Sequence, residues 1–324
     1  MSTDYIYAVA RVRYRETKLL SGSFIESLLS AKDYSECLRM LSDHGWNTDG
    51  AESTPAKMFE QEKRETWDFV SEIVHDGHAF DVFRYANDYH NLKAAIKNTL
   101  SRLDEEGLYM DKSMCTIDPL TIKKAIHDRD FRELPSDMEK VAGEALDLLL
   151  HTGDGQACDI MLDRAALDRI HKAGKETKEP ILSLYAELTV ASADIKTAIR
   201  ACIMGKDASF LEKALADCDT LDIGALAKAA STGIEAIYEY LERTPYADAI
   251  DDIKISPSAF EKWCDNTIIR KMRPQIHNSF TLGPVAAYII ARENEIKTVR
   301  IILSGKQNKL PDESLRERVR EMYV

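Results

Sequence analysis

The stretch DIKTAIRACIMGKD, residues 194–207, has two counterparts in the same chain: NLKAAIKNTL at 91–100 and EIKTVRIILSGK at 295–306. Each opens with a polar or acidic residue, then Leu or Ile, then Lys. The three begin 103 and then 101 residues apart. Leu92, Ala95, Ile96 and Leu100 share one helical face in the first copy, and Ile195, Ala198, Ile199, Cys202 and Ile203 do so in the second. The third keeps Ile296, Val299 and Leu303 but places Arg300 where the apolar stripe calls for Ile. Amphipathic helices resemble one another by construction, so the equal spacing carries the argument. Self-similarity at a fixed period reads as internal repetition. It predicts three helical units, 1–108, 109–210 and 211–324, each with several helices and a small core.

The rest of the chain agrees with an all-α fold. Its 324 residues are 44% hydrophobic, with 14 Gly and 9 Pro, and the long segments carry period-3.6 patterning rather than alternation. Length alone allows two or three domains. Unit boundaries are expected in LDEEGLYMDKSMCTIDP and GKDASFLEKALADCDTLDIG, with WNTDGAESTP and HTGDGQACD as loops inside units.

SGK at 304–306 has the look of a phosphate loop. A Walker A loop requires G-x-x-x-x-G-K-[ST], whereas Arg300 and Gln307 stand where Gly and Ser or Thr are needed. Gly205-Lys206 and Gly305-Lys306 instead predict helix ends, with Gly supplying a left-handed C′ residue and Lys favouring the negative end of the dipole. Asp312 and Glu313, after Pro311, suit the first turn of a final helix.

Several activities are excluded or disfavoured. The formal charge of −12 repels nucleic acid and anionic lipid, and the best basic patch, Arg11, Arg13 and Arg15, reads as a solvated face. The longest apolar run, GPVAAYIIA, is far short of the ~20 residues a membrane span needs, and the amino terminus has no signal-peptide core, so a cytoplasmic protein is expected. Six scattered cysteines without C-x-x-C read as reduced thiols rather than disulfides or a zinc site. There is no G-x-S-x-G and no dinucleotide fingerprint, and the pairs Asp251-Asp252 and Glu105-Glu106 read as solvated helix ends or loops. The enzymatic alternative rests on His75-Asp76, with His78 nearby, and His127-Asp128, which an all-α metal-dependent phosphohydrolase would use as ligands. A general helical adaptor is the other alternative.

The opening YIYAVARVRYRETKLLSGSFIESLLSAKDYSECLRML, the segment FRYANDYHNLKAAIK and the ending AYIIARENEIKTVRIILSGKQNKLPDESLRERV together resemble the C subunit of bacterial and archaeal V-type (A/V-type) ATPases, the counterpart of the eukaryotic V-ATPase d subunit. The resemblance implies a funnel of three helical units about a pseudo-threefold axis. It implies a non-catalytic central-stalk socket between the D and F shaft subunits and the membrane proteolipid ring, on the cytoplasmic side, with no cofactor or metal. Partner contacts are expected at the polar residues flanking the repeat stripe: Asn91, Lys93, Asp194, Lys196, Glu295 and Lys297.

Overall fold

The structure, a computed structural model, describes residues 4–46, 54–74, 77–101 and 107–324. Among these residues it is helical without a strand, as the patterning requires. The helices are α1 (Asp4–Glu16), α2 (Gly22–Ser30), α3 (Tyr34–Asp43), α4 (Pro55–Ile73), α5 (Tyr85–Ser101), α6 (Pro119–Asp128), α7 (Ser136–Thr152) and α8 (Gly155–Glu176). They continue with α9 (Pro180–Ile203), α10 (Ala208–Ala214), α11 (Ile223–Thr232), α12 (Ile234–Leu241), α13 (Ile250–Ile255), α14 (Pro257–Met272), α15 (Gly283–Gln307) and α16 (Asp312–Arg316). Their starts are written locally. Ser21, Asp33, Thr54, Asp118, Asp154, Asp207, Asp222 and Ser256 each accept an amide N–H of the following first turn, which satisfies donors the helix itself leaves over.

By contact the chain divides into two compact units. One joins the two ends of the sequence, Met1–Gly77 with Asp251–Val324. Its central element is α15, buried around most of its circumference and packed against α1, α2, α3, α4, α14 and α16. Ile296, Val299, Ile302 and Leu303 of α15 share a core with Leu28, Leu41, Trp46 and Phe59 from the first part of the chain. The other unit is His78–Ile250. There α8 lies against α5, α7 and α9, and Leu92, Ile96, Ile122, Leu146 and Leu162 form its core. Gly174 allows α8 to approach α9 closely, because a Cβ there would fall 2.4 Å from that of Ala186.

Several local expectations meet a different outcome. Leu100 and Ile203, placed on the core face by periodicity, are exposed, since they occupy the last turns of α5 and α9 beyond the packed stretch. Arg300 is exposed as well, with its guanidinium 4.9 Å from the Phe59 ring centre, so it leaves the stripe without disturbing its neighbours. The segment expected to be a boundary after Gly205 contains α10. HTGDGQACD is an interruption, with Gly153 left-handed at φ 69° and Asp154 capping α8. Asp251 and Asp252 fall in the first turn of α13. Most of WNTDGAESTP, the start of LDEEGLYMDKSMCTIDP with Glu105-Glu106, and His75-Asp76 lie outside the described residues. All six cysteines are free thiols.

The two Gly-Lys ends differ. After α9, Gly205 takes φ 64°, and the Lys206 and Gly205 amides donate to Ala201 and Cys202 carbonyls at 2.9 and 3.1 Å, a Schellman end as expected. Gly305 instead lies inside α15, where a Cβ would come 2.1 Å from Leu315 Cδ2. The glycine admits α16, and the left-handed C′ residue is Lys309 at φ 54°, whose neighbour Leu310 donates to the Gly305 carbonyl at 2.9 Å. Lys306 also serves a different helix end from the one expected: its ammonium donates to the Leu29 and Ala31 carbonyls at the end of α2, at 2.6 and 2.7 Å.

Candidate functional site

The polar residue that opens each repeat is fully buried and holds a backbone segment leading into another helix. Asn91 on α5 pairs with the peptide of Met110: its Oδ1 accepts the Met110 amide at 2.8 Å and its Nδ2 faces the Met110 carbonyl at 3.4 Å. Asp194 on α9 accepts the Ala216 amide at 3.1 Å. Glu295 on α15 accepts the Leu20 amide, next to Ser21, the cap of α2. Buried backbone donors must be paired, and here one side-chain position does it three times. The third amide comes from the start of the chain rather than from the segment that follows α15.

A second layer repeats in the first two copies. Asp88 accepts from the Thr116 amide (2.9 Å), the Thr116 hydroxyl (2.6 Å) and the Ile117 amide (3.2 Å). Glu187 accepts from the Asp219 amide (2.9 Å), the Thr220 amide (2.7 Å) and the Thr220 hydroxyl (2.6 Å). The tripeptides concerned, Thr116-Ile117-Asp118 and Thr220-Leu221-Asp222, each end in a helix cap and lie 104 residues apart. Sequence reading missed Asp88 and Glu187. The matching T-I-D and T-L-D, at nearly the helix repeat interval, was the signal that could have found them.

The three anchors differ in charge. Asn91 is neutral. Burial pushes the Asp194 carboxyl up to about 7, the Ala216 amide opposing it, and its Oδ2 has no hydrogen-bond partner among the described residues. Burial likewise raises Glu295 to about 7, but Arg292 works against this at 2.6 Å and also bonds Glu62. Arg292 lies over Trp46; burial disfavours its charge, but Glu295, Tyr288 and Glu62 together favour it by more and hold it protonated.

The three flanking lysines differ too. Lys93 pairs with Asp163 at 2.5 Å, and Lys297 with Asp265 at 2.9 Å. Lys196, half-buried, has no ion-pair or hydrogen-bond partner among the described residues. The arginines of α1 are engaged inside their unit rather than merely solvated: Arg11 with Glu72, Arg13 with Glu16 and the Gln275 and Asn278 carbonyls, Arg15 over Phe69. A largely apolar groove of about 660 Å³ on the 78–250 unit is lined by Leu148, Met161, Phe210, Arg164 and Lys213. His127 and Asp128 bond each other at 2.8 Å on the exposed end of α6, and neither belongs to a three-ligand grouping among the described residues. No helix among the described residues is long and apolar enough to cross a membrane.

With this geometry in view, the family model for the ATP synthase (C/AC39) subunit matches residues 8–318. The chain is 21% identical to the C subunit of the V-type sodium ATPase of Enterococcus hirae, the match covering 96% of this chain and 97% of that one. It is 23% identical to the C subunit of the A-type ATP synthase of Methanocaldococcus jannaschii, over 96% and 85% of the two chains. It is also 23% identical to the C subunit of the V-type ATP synthase of Thermus thermophilus, over 98% and 99%.

Proposed function

Because the chain belongs to the ATP synthase (C/AC39) subunit family and is thus a rotary ATPase subunit, we propose that it is the non-catalytic socket of the central stalk, seating the D and F shaft subunits on the membrane proteolipid ring. In this reading it lies on the cytoplasmic side and transmits torque for ATP-linked proton or sodium transport.

The observation that carries the reading is the thrice-used anchor. Asn91, Asp194 and Glu295 each tie a long helix to the segment entering another helix. In the third case that segment comes from the opposite end of the chain, which is what a closed ring of three units would need. This supports the division at 1–108, 109–210 and 211–324 and the pseudo-threefold funnel. A torque-bearing part must not shear, and buried side-chain-to-backbone bonds at each joint resist shear in a close-packed interior. The three anchors act on partners through the loops they hold, while Lys93, Lys196 and Lys297 make the contacts. Lys196, lacking an internal partner, contributes most. The exposed Leu100 and Ile203 add apolar area of the kind specific interfaces bury.

The test is membrane association. Extraction of the shaft or of the ring from native membranes should release the chain. Retention after both are removed would refute the socket role.

A further inference from the structure

His171 on α8, Glu187 on α9 and Asp219 in the loop after α10 converge within the 78–250 unit; loop anchoring occupies Glu187 but gives the His171 imidazole no task. One ligand atom from each lies within 4.8 Å of the other two. His171 Nε2 is 3.7 Å from Asp219 Oδ1 and 3.9 Å from Glu187 Oε2. Those distances are too long for hydrogen bonds, and Nε2 is a buried atom without a hydrogen-bond partner among the described residues.

We propose that His171, Glu187 and Asp219 form a binding site for a divalent transition-metal ion of the zinc class. The inference is independent of the stalk role. One imidazole and two carboxylates are a donor set that zinc accepts in tetrahedral geometry, the fourth place taken by water. Bonds of roughly 2.1 Å hold tetrahedral ligands ~3.4 Å apart, so the two His171 contacts, at 3.7 and 3.9 Å, are already near that spacing, and rotation of the two carboxylates closes the site.

The surroundings are suited to this. Glu187 is aimed by its bonds to Asp219 and Thr220, and these fall mostly on Oε1: the Thr220 amide and hydroxyl bond only that atom. Oε2, the atom facing His171, shares one amide, that of Asp219, at 3.1 Å. Such outer bonds orient metal ligands and fix their geometry. Asp219 is exposed and gives the ion its way in. The Lys175 ammonium sits on Asp219 Oδ2 and competes with a cation for the same carboxylate. The bound ion would staple α8, α9 and the loop after α10 together. The neighbouring Cys218 offers no atom to this grouping.

The experiment is calorimetric titration of ZnCl2 into the chelator-stripped full chain, with Co²⁺ absorption as a second readout. One ion per chain is expected. His171→Ala and Asp219→Ala, both checked for native helix content, should each weaken binding about tenfold or more, because even outer-shell partners of metal ligands are worth roughly 10–100-fold. His127→Ala and Cys218→Ser should leave it unchanged, and Co²⁺ should show tetrahedral d–d bands without thiolate charge transfer. Lys175→Met should tighten binding severalfold, an outcome a simple ion-pair cluster does not give. Absence of binding, binding indifferent to His171→Ala, or binding lost in Cys218→Ser would overturn the proposal.

Discussion

The helices α9 and α15 occupy matching places in the repeat, yet they anchor their loops by opposite means. Asp194 is a buried carboxyl without an ion-pair partner among the described residues, one oxygen on the Ala216 amide and the other without a hydrogen bond there. Glu295 holds the Leu20 amide from within an ionic cluster in which Arg292 joins it to Glu62. Asn91 on α5 shows the third solution, an amide that both accepts and donates. What recurs is the task of pairing a buried backbone donor. Charge is incidental to the task, and each copy has settled it locally.

The contrast breaks most visibly at Arg292. Replacement by Met takes the guanidinium away from the buried Glu295 and Glu62, and removal of one partner of a buried ion pair costs about 3–5 kcal/mol. Chemical denaturation should show this loss, and a change below ~1 kcal/mol would mean that the cluster is not ionised as described. Gly305→Ala comes next. Its Cβ would overlap Leu315, and overpacking of this kind costs roughly 1–3 kcal/mol, whereas Gly205 meets no such neighbour.

Asp194→Asn should go the other way. The folded chain holds the Asp194 proton more tightly than the unfolded chain does, so wild-type stability falls as pH rises from the ordinary carboxylate range to about 7 and levels off above it. Asn keeps the acceptor for Ala216 and cannot ionise. The variant should match wild type near pH 4 and exceed it clearly at pH 8, where the wild-type carboxyl must ionise in the folded chain. An equal difference at both pH values would contradict a protonated anchor. The smallest effect is expected at Lys309→Gly. A side chain in the left-handed region costs about 1 kcal/mol, so melting should shift upward slightly, and a downward shift would show that Lys309 makes a contact worth more than its strain.

These contrasts also mark what the sequence could reveal. Helical periodicity, Asp and Ser caps and the hundred-residue spacing were legible because each depends on neighbours in the chain. Gly205 and Gly305 show the limit. Both precede Lys after an amphipathic run, and only the approach of Leu315, ten residues on, makes one a packing residue and the other a cap. The candidate site was half legible. The repeat picked out Asn91, Asp194 and Glu295, but a polar residue beside an apolar stripe looks solvent-facing until the loop it holds is known. Met110, Ala216 and Leu20 are apolar, and only their backbone groups take part. His171, Glu187 and Asp219 converge from three elements without any local motif.

The measurement that bears most directly on the stalk role is affinity purification of the tagged chain from detergent-solubilised native membranes, with co-purifying chains identified and counted by mass spectrometry. The account predicts a proteolipid together with shaft and ATP-hydrolysing subunits, at about one copy of this chain per complex, with recovery reduced in a Lys196→Glu, Lys297→Glu variant of unchanged melting temperature. Recovery of the chain alone would contradict it.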